Sequence, residues 1–381
     1  MTDIETIKDI FNEAADFIET GKSRKQKIKI GLTLLGSEHG PGVLMNGAME
    51  AAKDFDDIDV TLIGHKLSDD FPVYEADCES DAHDIMVRLL ESGELDAVVT
   101  MHYNFPLGVS TVGRLVSPAN GKEFLLATTT GTSSTDRVKA LTLNAVYGIA
   151  VAKSLGKTDP TVGILNIDGA RQAEKNLKKL IDKGYPINLA QSIRKDGGAV
   201  LRGNDVLTAS ADVIVTDTLT GNILNKLMSG FTSGGTYEVT GYGYGPGVGE
   251  NFNKTVMILS RASGTPVVKN AIKYAADLVR GNLMSHVADE MGRAKAAGLS
   301  GILEYVPDAK HDDKKEADIP KKVVTEEIAG VDILVLEDAV RALKLNGIYA
   351  ESGMGCTGPV ILVASEDEEH ARKTLGDENY L

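Results

Sequence analysis

The 381-residue sequence has only two cysteines, Cys78 and Cys356, far apart in the chain. That excludes a disulfide framework and argues against a cysteine metal site. It also lacks any apolar run near the roughly 20 residues of a membrane span. The opening "MTDIETIKDIFNEAADFIET" has acidic residues spread through it, unlike a signal peptide. The chain therefore reads as cytosolic, with both thiols reduced. Positive charge is scarce as well: 40 Lys and Arg stand against 55 Asp and Glu, a formal net charge of -15. Such a balance argues against binding nucleic acid or an anionic membrane through the bulk surface. An anionic substrate must meet a local positive site.

What is present is a globular composition, 42% hydrophobic, with enough chain for a large core and for two domains rather than one. Ile4, Ile7, Phe11, Ala14, Ala15 and Ile18 fall on one helical face, predicting an appended amphipathic helix over residues 1–25. From Ile28 a rhythm of short apolar run, Gly-containing turn and helical pattern repeats. Its runs are "KIKIGLTLLG", "DVTLIG", "DAVVTM", "EFLLATTT", "TVGILNI", "DVIVTD" and "TVMILS". Alternating strands and helices predict an α/β fold of three layers, a mainly parallel sheet with helices on both faces. Around "YVPDAKHDDKKEADIPKK", residues 305–322, the rhythm stops in a charged linker or surface loop. Beyond it a strand, a helix, two short strands and a last helix form a small α+β module over 323–381.

In open α/β sheets ligands bind beyond the carboxyl ends of the strands, and three turns there suit an anion. "GSEHGPGVLMNGAMEAA" passes Gly36, Gly40 and Gly42 into a helix start whose free N–H groups favour a phosphate or carboxylate. "DVIVTDTLTGNILNKLM" ends its strand at Asp217 and offers Thr218, Thr220, Gly221 and Asn222. In "MILSRASGTPVVKNAIKYAADLV", Ser260 and Arg261 precede Thr265 as N-cap and Pro266 in the first turn. Arg261 is the best single candidate, since a guanidinium pairs bidentately with anionic oxygens. The glycine-rich "GYGYGPGVGENF", residues 241–252, reads equally as a long connection or as a flap over substrate.

These segments, in this order and at roughly this spacing, resemble the PlsX phosphate acyltransferases, which exchange an acyl group between a carrier thioester and inorganic phosphate. The resemblance runs from about Ile28 to about Arg280, with "ADVIVTDTLTGN" its most specific piece. "LSRAS" is similar to the serine-arginine segment of phosphate acetyltransferases. The resemblance implies a two-lobed fold of the isocitrate/isopropylmalate dehydrogenase type with its site in the cleft. The first lobe would take residues 26–150 and about 281–304, the second 151–280. Where PlsX proteins carry an aspartate and paired glycine this chain has Thr33 and Gly36 with Ser37, and Val267 stands near an aspartate of the acetyltransferases. Together with "ESGMGCTGPVILVASED", the whole chain resembles the alpha subunits of component C of glycine/sarcosine/betaine reductase complexes. That family implies an acetyl thioester on Cys356, attacked by phosphate to release acetyl phosphate. It further implies a component C beta subunit and carboxymethylated selenoprotein A as partners, an oligomer, inorganic phosphate as co-substrate, and no cofactor or metal.

The residues support that chemistry. A thiolate is both nucleophile and leaving group, and Gly353, Gly355 and Gly358 around Cys356 allow N–H groups to converge on an oxyanion. Phosphate is expected near Ser260, Arg261, Thr218 and Asn222. His39 is a possible proton shuttle or phosphate contact, or equally a turn residue. Cys78 among carboxylates is expected to be inert, and His286 structural. Two other readings remain open: a stand-alone acyltransferase using acyl carrier protein or coenzyme A thioesters, and a catalytically silent scaffold. A dehydrogenase fails for want of a dinucleotide fingerprint and a metal-binding aspartate cluster.

Overall fold

The computed structural model describes residues 27–194, 198–304, 319–355, 358–378 and 380–381. The expected N-terminal helix, most of the charged linker and Cys356 itself lie outside the described residues. β1 (Ile28–Thr33) leads into α1 (Pro41–Asp54), and β2 (Ile58–Ile63) and the short β3 (Val73–Tyr74) into α2 (Glu79–Glu91). β4 (Ala97–Thr100), β5 (Val109–Val116) and β6 (Glu123–Thr132) precede α3 (Arg137–Ser154). Then come β7 (Thr161–Leu165), α4 (Ala170–Asp182), β8 (Asn188–Leu189), β9 (Val200–Leu201), α5 (Gly203–Thr208), β10 (Val213–Val215) and α6 (Thr218–Ser229). β11 (Gly245–Val248) and β12 (Val256–Ile258) lead to α7 (Thr265–Arg280), α8 (Leu283–Ala296) and α9 (Leu299–Glu304). The chain closes with β13 (Glu326–Ala329), α10 (Leu336–Leu345), β14 (Ala350–Gly355), β15 (Gly358–Val363) and α11 (Glu368–Asp377).

All seven runs named from the sequence are strands of one 12-stranded sheet, ordered β3-β2-β1-β4-β12-β11-β5-β6-β10-β7-β8, with β9 also beside β7. Alternate residues of a strand point to opposite faces, and the core divides accordingly. Ala97 and Val99 of β4 join Ala48, Ala145, Ala271 and Val287 from α1, α3, α7 and α8. Val98 between them joins Met86 and Leu89 of α2. In β6, Leu125 and Ala127 face the first group, while Phe124 and Leu126 meet Val206 of α5 and Met228 of α6. The fold is therefore αβα, as the alternation predicts. α3 is buried on nearly every side, which explains a sequence apolar all round rather than along one stripe.

The sheet is less parallel than the sequence suggests. β11 pairs antiparallel with both β12 and β5, and β5 antiparallel with β6. β6, β10 and β7 are then parallel to one another. Three reversals make the β6–β10–β7 half run opposite to the β2–β1–β4–β12 half. Neither reversing strand is evident from the sequence. "VSTVGRLV" of β5 is buried on both faces and shows no alternation.

β11 lies inside "GYGYGPGVGENF", so that segment is neither a mobile connection nor a flap. Residues Gly245–Val248 are fully buried in mid-sheet. A β carbon on Gly245, whose φ is +92, would overlap the Val112 carbonyl, and one on Gly247 would overlap the Phe105 ring. The glycines there serve close backbone approach.

β13, β15 and β14 form a separate three-stranded antiparallel sheet. Its own core includes Ile328, Val340, Leu343, Ile361, Val363 and Leu375, giving the small C-terminal α+β unit. The unit touches the main body at the start of α4. The N-cap there, Gly169 (φ 85), has no side chain to cap the helix. Its N–H instead donates to Asp332 Oδ1 at 3.4 Å. A carboxylate at a helix N-terminus is favoured by the aligned peptide dipoles.

Three outcomes follow. Gly247→Val loses about 1–3 kcal/mol of stability through overpacking, read by denaturant unfolding. Gly292→Ala, in α8 with open space around it, gains about 0.5–1 kcal/mol. Asp332→Ala raises hydrogen exchange in the first turn of α4 about 5-fold, the loss of one charge-assisted contact of ~1 kcal/mol, while α10 and α11 keep their protection.

Candidate functional site

β1, β4 and β12 run in one sense, so the turns that follow them open on the same sheet edge. After β1 the backbone reverses through Gly36 (φ +88) and Gly40 (φ +79). Glu38 N donates to Arg261 O at 2.9 Å, which ties this turn to the one after β12. α1 starts at Pro41 with no side-chain cap and no acidic residue in its first turn, and a β carbon on Gly40 or Gly42 would meet nothing within 4 Å. The α1 N-terminus is thus open, with its amides and positive dipole end uncompensated locally.

After β12 the N-cap is Gly264, one residue earlier than the Thr265 expected from sequence. Gly264 has the extended backbone an N-cap requires, and its N–H donates to Glu238 O at 2.8 Å. The Thr265 hydroxyl instead donates to Val43 O at 3.3 Å, stitching α7 to α1. α7 also lacks a side-chain cap and first-turn acid. Two such helix starts therefore flank Ser260 and Arg261.

Ser260 is almost wholly buried, 1% exposed. Its Oγ accepts from Lys226 Nζ at 2.9 Å and from Ala262 N at 3.2 Å. Lys226, on the third turn of α6, was not singled out by the sequence reading. Its side chain is 48% exposed while that of its ion-pair partner Glu238, at 3.5 Å, is 4% exposed. Glu238 also accepts from Ser263 Oγ at 3.2 Å. Lys226 Nζ lies 5.8 Å from the Tyr244 ring centre. Partial burial works against the ammonium, but Tyr244 and Glu238 outweigh it and hold the lysine above its usual range. The cations that reach solvent at this turn are thus Arg261 and Lys226, with Ser260 beneath as a fixed acceptor.

Arg261 Nη2 lies 3.2 Å and 3.4 Å from the two carboxylate oxygens of Glu79. Glu79 is the first residue of α2, after the exposed N-cap Cys78. His39 faces Tyr237 edge-on, ring centres 5.9 Å apart, and the Tyr237 ring leaves no room for a side chain at Gly264, where a β carbon would come within 2.7 Å of it. His39 therefore lines the same edge, its N–H donating to Ser37 Oγ at 3.2 Å. His286 is a half-buried residue of α8.

Thr218 and Asn222 are placed differently. β10 runs opposite to β12, so its turn opens on the other edge, and α6 runs back toward the Ser260 edge. Thr218, Asn222 and Lys226 are four residues apart on one ridge of α6. At 1.5 Å per residue, Asn222 and Thr218 lie about 6 and 12 Å back along the axis. The expectation that the three turns converge is corrected: the turns after β1 and β12 meet, and the third contributes through the far end of its helix. Asp217 caps that helix, accepting from Thr220 N at 3.0 Å and Thr220 Oγ1 at 2.7 Å.

Gly355 and Gly358, the residues flanking the undescribed Cys356 and Thr357, are register partners at the end of the β14–β15 pair. Among the described residues no group of three or more His, Cys, Asp or Glu is placed to hold a metal, and no helix is long and apolar enough to cross a membrane.

Comparison with known proteins shows the family. The family model described as fatty acid synthesis protein matches residues 28–362. The glycine/sarcosine/betaine reductase complex component C subunit alpha of Peptoclostridium acidaminophilum is 54% identical over 381 residues, covering 99% of each chain. A phosphate acyltransferase of Thermus thermophilus is 29% identical over 240 residues, 53% of this chain and 71% of that protein. A branched-chain phosphotransacylase structure from Enterococcus faecalis superposes with a TM-score of 0.49 at 16% identity, over 66% of this chain and 99% of that one. With the family model matched along most of its length, the chain belongs to the fatty acid synthesis protein family and is, from end to end, a relative of the reductase component C alpha subunits.

Proposed function

We propose that the chain is the acyltransferase subunit of a glycine/sarcosine/betaine reductase complex. In this reading an acetyl thioester on Cys356 is attacked by inorganic phosphate and acetyl phosphate is released. The observation that carries it is the pairing of Arg261 and Lys226 on one sheet edge between two uncapped helix N-termini, a local positive site in a chain of net charge -15. A phosphate oxygen bonds to the acetyl carbonyl carbon, the C–S bond breaks, and the Cys356 thiolate leaves with the electron pair. Phosphate is already a competent nucleophile, so the protein's task is to hold it and compensate charge. Arg261 and Lys226 hold its oxygens, with His39 at the rim, and Ser260 aims the Lys226 ammonium. Thr218 and Asn222 line the approach along α6. Gly355 and Gly358 leave the backbone free to donate to the oxyanion.

The partners in this reading are a component C beta subunit and carboxymethylated selenoprotein A, which the motif resemblance implies; the relative's name supports association within a reductase complex. A second reading, a stand-alone acyltransferase working from carrier or coenzyme A thioesters, draws on the 240-residue match to the Thermus enzyme. The two readings part on Cys356→Ser, which abolishes acetyl phosphate formation in the first and spares turnover of a soluble thioester in the second. A silent scaffold carries no thioester at all.

The test is intact-mass detection of acetyl on the protein followed by its phosphate-dependent release. Arg261→Ala and Lys226→Met each slow that release about 100-fold, the loss of one preorganised charge contact, while leaving acetylation intact. Release at the wild-type rate in Arg261→Ala sinks the assignment of the phosphate site. The Asp332 contact lies at the turn after β7, on the edge opposite Arg261, so a mixture of Cys356→Ala and Arg261→Ala proteins is the informative control. Recovered activity in that mixture means that thiol and phosphate site come from different chains.

A further inference from the structure

Glu79 is the one acidic side chain in contact with the Arg261 guanidinium, among the described residues, and nothing in its local sequence requires it to be there. An acid in the first turn of a helix is ordinarily explained by the helix dipole, and Glu79 and Asp81 both fit that explanation for α2. The Glu79 carboxylate, however, reaches Arg261, 182 residues away. It also sits against the β1–α1 turn. A β carbon on Gly36 would lie 3.0 Å from Glu79 Oε1, so the glycine there makes room for the carboxylate. Both members of the pair are half exposed, 48% for Arg261 and 40% for Glu79. A pair so exposed to water is worth little and is easily exchanged.

The geometry points to Glu79 as a tethered competitor that fills the Arg261 site until phosphate displaces it. This inference rests on the phosphate site proposed above. The resident carboxylate has the same charge and the same two oxygens as acetate or formate, and it is delivered by the chain at high effective concentration. A free monocarboxylate gains nothing over it. A phosphate dianion carries more charge and a third oxygen to the same guanidinium and to the open α1 start beside it. Glu79 must leave before any anion takes its place, so it lowers the apparent affinity of the site for phosphate by the factor that its own contact with Arg261 is worth, which is modest for a half-exposed pair.

The experiment is equilibrium dialysis of the full chain with radiolabelled inorganic phosphate. Glu79→Gln is expected to bind phosphate about 5-fold tighter than wild type, ~1 kcal/mol. Arg261→Ala loses phosphate binding. If Glu79→Gln binds phosphate no tighter while Arg261→Ala still loses binding, Glu79 merely orients Arg261 and the inference is wrong. If Arg261→Ala binds phosphate as wild type does, the phosphate site lies elsewhere, and this inference falls together with the reading it rests on.

Discussion

The structure depends on a strand in which every second residue is glycine. β11 is wedged between β12 and β5, and at Gly245 and Gly247 the neighbouring backbone and the Phe105 ring come so close that only hydrogen fits. Because β11 is antiparallel to both neighbours, and β5 antiparallel to β6, the two halves of the sheet run in opposite senses. Everything at the site follows from this. α6 begins on the far edge and delivers its third turn, with Lys226, to Ser260. The Asp332 carboxylate of the C-terminal unit meets α4 on the edge away from Arg261.

The electrostatics are local. A chain with 15 more acidic than basic residues holds two half-exposed cations at one turn, and each is paired with a carboxylate, Glu238 for Lys226 and Glu79 for Arg261. The two pairs differ in burial and therefore in consequence. Glu238 is almost wholly enclosed, and a buried carboxylate without its partners is costly. Glu238 therefore keeps its contacts with Lys226 and Ser263, and the ammonium is held in place. Glu79 faces water and exchanges its partner cheaply. One cation is fixed and the other is available, a useful division for a site that must orient an anion and also admit it.

Much of this was legible in the sequence. The seven apolar runs are strands because they are short, β-rich and bounded by turns. The helix starts at "GSEHGPG" and "SRASGTP" do meet on one edge, although the second is capped by Gly264 and not by Thr265. The C-terminal α+β unit is also as expected. "VSTVGRLV" and "GPGV" were not legible as strands. The first is buried on both faces and so has no period, and the second owes its strand to the atoms around it rather than to β-propensity. Missing them made the sheet look mainly parallel and made Thr218 and Asn222 look like immediate neighbours of Arg261.

The sequence by itself determined the αβα class, the family and the serine-arginine turn, because these are written in residues close together along the chain. Only the tertiary structure decided which side chains meet that turn. Lys226 is 34 residues from Ser260, and Glu79 is 182 from Arg261. On its own helix each is an ordinary surface charge. Contacts across such separations are set by strand order and strand sense, and these depended on two glycines that give no local sign of the close approach they permit.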